Sequence, residues 1–188
     1  MISQRRYNLQ CRFREIAALL FFTGKTMERG KTCCFIGHRH VDDRDGMKRK
    51  IKQCVEELIV KNGVDTFLFG SKSVFDDLAL EAVTELKEKY PHITRVYVRS
   101  MYSYISEQYK EYLLTLTDET FMPAMVENAG RAAYVKRNRY MIDNSAYAVF
   151  YYDSKYAQNM SRKSGTKVAY EYAQKRAQAL QIINLAND

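Results

Sequence analysis

Short apolar runs that stop at a glycine, each followed by apolar residues at helical spacing, constrain this chain more than any other feature. Residues 32–38 read TCCFIGH and residues 65–70 read DTFLFG. Both are too short for a helix and bounded by a turn residue, which marks a buried strand. Between them Ile51, Cys54, Val55, Leu58 and Ile59 recur at i, i+3, i+4, i+7 and i+8, one face of an amphipathic helix that Gly63 ends. Phe75, Leu78, Ala79, Ala82, Val83, Leu86 and Tyr90 repeat the pattern before Pro91, and ITRVYVR at 93–99 supplies a third strand. Strands alternating with helices at this spacing imply a parallel sheet joined by right-handed crossovers.

The second half resumes the alternation after a break. Residues 100–133 are rich in tyrosine, contain Pro123 and Gly130 and hold no single period. One short helix near 106–115 inside an irregular insertion is expected there, either as a surface excursion or as a cover over the sheet edge. A helix then runs from about Tyr134 to Asn144. AYAVFYY at 146–152 is the most apolar strand and suits a central position buried on both faces. Asp153 ends it. A last helix presents Val168, Ala169, Tyr172, Ala173, Ala177 and Leu180, and IINL at 182–185 closes the series. The expected fold is α/β: a Rossmann-like, open, mainly parallel five-stranded sheet with helices on both faces.

Residues 31–188 read as one such domain, long enough to bury a core without disulfides or metals. Residues 1–30 read as an N-terminal extension. The apolar run Ile16 to Phe22 is too short to span a bilayer and no small-residue cleavage pattern follows it. Leu9, Phe13, Ile16 and Leu20 can share a helical face, and Met27, just before the patterned domain, is an alternative start. The formal net charge of +8 is concentrated here. Residues 1–31 carry seven basic and two acidic side chains, whereas residues 32–188 hold 23 and 20. A domain so nearly neutral argues against a generic polyanion-binding surface.

Cys11, Cys33, Cys34 and Cys54 show no metal-ligand spacing, and no carboxylate or cysteine pattern completes a zinc site with His38 and His40. No metal is expected. Adjacent in a strand, Cys33 and Cys34 must point to opposite faces of the sheet. Buried free thiols fit a reducing compartment, so a cytoplasmic location without membrane attachment is expected.

In open parallel sheets ligands lie beyond the carboxyl ends of the strands. That rule nominates Gly37, His38 and Arg39; Gly70 and Ser71; Arg99 and Ser100; and Asp153 with Ser164, Gly165 and Thr166. A strand ending in glycine lets another group come close. The last loop opens a helix, whose free N–H groups and dipole favour an anion, although Ser164 or Thr166 serves equally as an ordinary N-cap. Arg137 and Arg139 stand on the preceding helix, either at the same rim or as solvated surface charge. GxSxG, GxxxxGK[ST] and GxGxxG patterns are absent from the sequence.

Together, CCFIGHR (33–39), FLFGSKSVFDDLALEAVTELKEKYP (67–91), KRNRYMIDNSAYAVFYYD (136–153) and SGTKVAYEYAQ (164–174) resemble the SLOG superfamily, and within it most closely the YpsA-like proteins, whose function is largely uncharacterised. The resemblance implies a pocket for a nucleotide or a nucleotide-derived ligand such as ADP-ribose or NAD, with a sensing or regulatory role. It places Gly37, His38 and Arg39 in the pocket, with Gly70, Ser71, Phe75 and Asp76 as a second loop. Arg137, Asn138 and Arg139 would approach a phosphate or sugar, with Asp153 nearby, and Ser164, Gly165 and Thr166 would hold the phosphate. The superfamily also includes DprA-type proteins that bind single-stranded DNA and LOG-type phosphoribohydrolases, which supply the alternative readings. A homo-oligomer is compatible with all of them. No catalytic residue is assigned. The local carboxylates are Asp76, Asp153 and Glu171, and Glu171 lies five residues after Thr166, where the LOG-type pattern PGGxGTxxE has three.

Overall fold

The computed structural model describes residues 27–70, 73–101, 105–155 and 164–186. Six strands form one sheet: β1 (Thr32–Gly37), β2 (Thr66–Phe69), β3 (Thr94–Val98), β4 (Glu119–Phe121), β5 (Tyr147–Tyr151) and β6 (Gln181–Asn184). Their spatial order is β4-β3-β2-β1-β5-β6, and every neighbouring pair is parallel. Five helices flank them: α1 (Arg44–Asn62), α2 (Val74–Lys89), α3 (Glu107–Leu116), α4 (Ala133–Asp143) and α5 (Gly165–Gln174). The amphipathic stripe at residues 9–20 and Ser71 lie outside the described residues.

Burial on both faces follows from the run at 32–37, in which every residue is buried. Cys33, Phe35, Phe67, Phe69 and Val149 face α1 and α2, packing on Ile51, Val55, Leu58, Ala79, Val83 and Leu86. Cys34, Ile36, Leu68, Val96, Ala148 and Phe150 face the other way, onto Met141 and Ile142 of α4 and Ala169 and Ala173 of α5. The two adjacent cysteines therefore do divide between the faces. The helices begin and end on local chemistry. Asp43 caps α1 by accepting from the Gly46 N–H, and Gly63 ends it at φ 66°, where a side chain would be strained. Ser73 caps α2, and Ser164 caps α5 by accepting from the Lys167 N–H.

The sheet has one strand more than the sequence pattern suggests. β4 is only three residues long, has no buried position and arises inside the segment expected to be irregular. Long-range pairing holds it. The Asp118 carboxylate accepts from the Arg95 backbone N–H at 2.8 Å and from its guanidinium at 3.0 and 3.2 Å, and from the Lys87 ammonium at 3.0 Å. No local period could announce a strand fixed by residues 23 and 31 positions away. Part of the expected N-terminal extension also docks on the domain. Met27 packs on the α4–α5 side of the core, and the Arg29 guanidinium donates to the Asp143 and Ala179 carbonyls. Among the described residues no helix is long and apolar enough to cross a membrane.

The strand order places β1 at the point where the chain reverses its direction of sheet growth. From β1 it builds outward through β2, β3 and β4, then returns to add β5 and β6 on the other side. The carboxyl ends of β1 and β5 thus flank the switch point, where a crevice forms because the adjoining loops diverge. The end of β1 is tightly filled. A Cβ at Gly37 would sit 2.3 Å from Phe75 Cδ1, whereas one at Gly165 would meet nothing within 4 Å. Gly37→Ala should therefore cost about 1–3 kcal/mol through overpacking, and Gly165→Ala should be close to neutral. Thermal melts check this, with roughly 2–4 °C expected per kcal/mol at this chain length. Equal melting temperatures for the two variants would contradict the packing.

Candidate functional site

Two groups of side chains gather at the carboxyl edge. The first surrounds the switch point. The Thr166 hydroxyl donates to the Gly37 carbonyl at 3.0 Å, tying the start of α5 to the end of β1. Thr166 is buried, so its hydroxyl proton is committed to the protein. Ser164 is the N-cap. The Gly165 and Thr166 N–H groups belong to the first turn, which has no intrahelical acceptors. The capping alternative read from the sequence is thus realised for Ser164, and the first-turn amides are what this turn can offer an anion.

His38 is buried beside them. Its Nε2 lies 3.1 Å from the Asp153 backbone nitrogen and 3.3 Å from the Asp153 carbonyl oxygen, so the ring is held against that backbone in either tautomer. Burial lowers the ring's pKa below the ordinary 6.5, opposed by the Asp153 backbone and carboxylate. The ring lies 5.9 Å from Tyr151 and 5.7 Å from Tyr152, and Phe75 stacks on Tyr151 at 5.9 Å. The Asp153 carboxylate accepts from the Lys155 N–H in its own turn. Asn184 closes the loop by donating to the Tyr152 carbonyl and accepting from its N–H, both at 3.0 Å. Arg39 is exposed at the rim, and its carbonyl accepts from the Val74 N–H.

The second group lies over β2 and centres on Arg137. Its side chain is only 2% exposed although it carries a charge. The guanidinium lies across the backbone of Gly70, where a Cβ would be 2.7 Å from Nη1 and 2.8 Å from Cδ. Nε donates to the Asn138 side-chain oxygen at 2.9 Å. The Tyr134 ring lies 5.8 Å from the guanidinium carbon. Nη1 is buried and has no hydrogen-bond partner among the described residues. Burial pulls the Arg137 pKa down, and the Asp76 carboxylate, Tyr97 and Tyr134 oppose that. Asp76 is itself buried at the head of α2, where it accepts from the Ser73 hydroxyl at 2.6 Å while its N–H donates back to Ser73. This pair of bonds to Ser73 holds the carboxylate at the head of α2, near Arg137.

Several sequence expectations land together here and some do not. Gly37, His38, Asp153 and Thr166 meet at the switch point; Gly70, Asp76, Arg137 and Asn138 meet over β2; Phe75 joins the two groups. Both strand-end glycines are needed for close approach, but the approaching groups are Phe75 and Arg137 of the protein itself. Arg139 stands apart. It is exposed and lies 4.9 Å from the Tyr172 ring, beside the Asp143–Arg176 ion pair. Two residues along a helix are about 200° apart, so Arg137 and Arg139 cannot share a face. A signal for the buried arginine was present: Ala133, Arg137 and Met141 follow one another at i, i+4 and i+8 on the buried stripe of α4. Tyr97, Tyr134, Tyr151 and Asn184 carried no motif and were found only through their contacts. Among the described residues no group of three or more His, Cys, Asp or Glu side chains is placed to hold a metal ion.

An all-parallel α/β sheet whose strand order reverses at β1, with a buried arginine and a helix N-terminus at its carboxyl edge, defines a Rossmann-like domain. The YpsA family model, described as the YspA SLOG family, matches residues 38–187, and the chain belongs to that family. A protein of Bacillus subtilis (strain 168), described as the uncharacterized SPbeta prophage-derived protein YoqJ, is 30% identical over 145 residues, spanning 69% of this chain and 81% of that protein. The family expected from the sequence motifs is therefore the one found.

The neutral state of His38 predicts a pH response. Because burial lowers the folded-state pKa below the ordinary 6.5, the unfolded chain binds the proton more readily. The contribution of His38 to stability is fully present above about pH 6.5 and is lost as pH falls through the lower folded value. Urea unfolding of the wild type should show stability falling across this acidic window, and His38→Gln should flatten that part of the profile. Identical pH profiles for the two proteins would contradict the assignment.

Proposed function

We propose that this protein binds a nucleotide or nucleotide-derived ligand at the carboxyl edge of β1, β2 and β5, in a sensing or regulatory capacity. The observation that carries this reading is Arg137 Nη1, which is buried and has no hydrogen-bond partner among the described residues. A buried guanidinium with an unpaired N–H is costly, commonly by several kcal/mol, unless an anion completes it. Arginine is also the side chain best suited to phosphate, since it is always charged and presents paired donors. The first-turn amides of α5 offer a second place for negative charge at the same edge. Half-buried Tyr97, Tyr151 and Tyr152 provide ring surface nearby. Buried free thiols at Cys33 and Cys34 fit a cytoplasmic setting.

The alternatives have less support. Single-stranded nucleic acid would need both arginines of the 137–139 motif on an open face, yet Arg137 is buried and Arg139 lies against Tyr172. An N-glycosidic hydrolase needs a carboxylate free to act. Asp76 is held in the α2 cap and Asp153 in its own turn. Glu171 is about 140° around α5 from Thr166 by helical geometry.

A thermal-shift panel of nucleoside monophosphates, ADP-ribose, NAD and dinucleotides tests the proposal on the wild type and on Arg137→Met. At a ligand concentration of about 100 times Kd the stabilisation is about 2.7 kcal/mol, or roughly 5–10 °C at this size. Arg137→Met, which takes the opposing charge away from the buried Asp76 carboxylate, should lower the melting temperature of the free protein and lose the ligand shift. No shift with any nucleotide at millimolar concentration, or an equal shift in the variant, overturns the reading.

A further inference from the structure

Beside the Arg137 site a hollow of about 390 Å³ opens at the carboxyl ends of β3 and β4. This is within the ~300–1,000 Å³ typical of small-molecule sites. Its walls include Ser100 and Met101 after β3, Met122 after β4, and Glu127, Ala129 and Tyr134 from the turn that leads into α4. Tyr134 is the shared wall. It lines the hollow, its ring lies 5.8 Å from the Arg137 guanidinium carbon, and its hydroxyl donates to the Met101 sulfur. We propose that this hollow is the ring subsite of the same ligand: a planar, nitrogen-bearing heteroaromatic ring lies there against Tyr134, Met101 and Met122, while its anionic group completes Arg137.

The inference rests on the reading of Arg137 as an anion receptor and adds what the rest of the ligand must be. Three observations support it. Large apolar side chains are left in water here: Met101 is 47% exposed, Tyr134 54% and nearby Met125 46%. A cluster of exposed apolar side chains marks a binding surface better than scattered single ones do. The chemistry of the wall is that of a ring site, because thioethers are polarisable, adapt in shape and make favourable contacts with aromatic rings. A phenol ring adds a stacking surface. Finally, Ser100, Glu127 and Asn128 in the same wall supply acceptors for ring N–H or amino groups, and the Glu127 carboxylate disfavours a second phosphate there.

The test is ¹³C-methyl methionine NMR on the intact protein, with Met101 and Met122 signals assigned through Met101→Leu and Met122→Leu. Adenosine and guanosine monophosphates should shift the Met101 and Met122 methyl signals upfield through the ring current, whereas ribose 5-phosphate, which has the anion but no ring, should leave both in place. Ala129→Phe, which fills the hollow, should weaken purine nucleotide binding at least tenfold and leave the Kd for ribose 5-phosphate within twofold. If nucleotides stabilise the protein in an Arg137-dependent way but move neither methyl signal, the ring lies elsewhere and this inference alone fails. If no nucleotide depends on Arg137, the anion-receptor reading fails and this one falls with it.

Discussion

Arg137 buries a guanidinium over the bare backbone of Gly70, and the arrangement of the candidate site depends on how that charge is held. Three of its surroundings are protein: the Asn138 oxygen on Nε, the Tyr134 ring, and the Asp76 carboxylate. Each has its own support. Asn138 follows Arg137 on the same helix, and Asp76 is locked by Ser73 at the head of α2. Gly70 is small because the arginine needs the space. Nη1, which has no hydrogen-bond partner among the described residues, is the remaining cost.

The frame that presents this charge is set by strand order. With β1 central and buried along its whole length, the chain must grow the sheet outward on one side and come back to complete the other. Helices α1 and α2 then cover one face and α4 and α5 the opposite one. That division brings α4, carrying Arg137, over the carboxyl end of β2, and it brings the first turn of α5 against the end of β1 through the Thr166–Gly37 bond. The site is thus assembled from segments about 130 residues apart by the topology itself.

Much of this was legible in the residue pattern. The alternation of strand-type runs and helical stripes was enough for the parallel α/β fold, and adjacency alone was enough to send Cys33 and Cys34 to opposite faces. Gly37 and Gly70 were legible as positions of close approach, but not what approaches them, since Phe75 and Arg137 arrive from other elements. The arginine pair was separable by helical period, and the stripe of Ala133, Arg137 and Met141 would have marked the buried member. β4 was not legible, because a three-residue edge strand fixed by Asp118, Arg95 and Lys87 leaves no local period.

The proposal at the centre of this reading is that Arg137 meets an anionic group of a bound ligand. A crystal structure determined with inorganic phosphate or adenosine monophosphate in the crystals tests it most directly. An anion oxygen is expected within about 3 Å of Arg137 Nη1, the ordinary hydrogen-bond distance, with Gly70 directly beneath the guanidinium. Nη1 paired to another group of the protein, with the anion bound elsewhere or not at all, would contradict it.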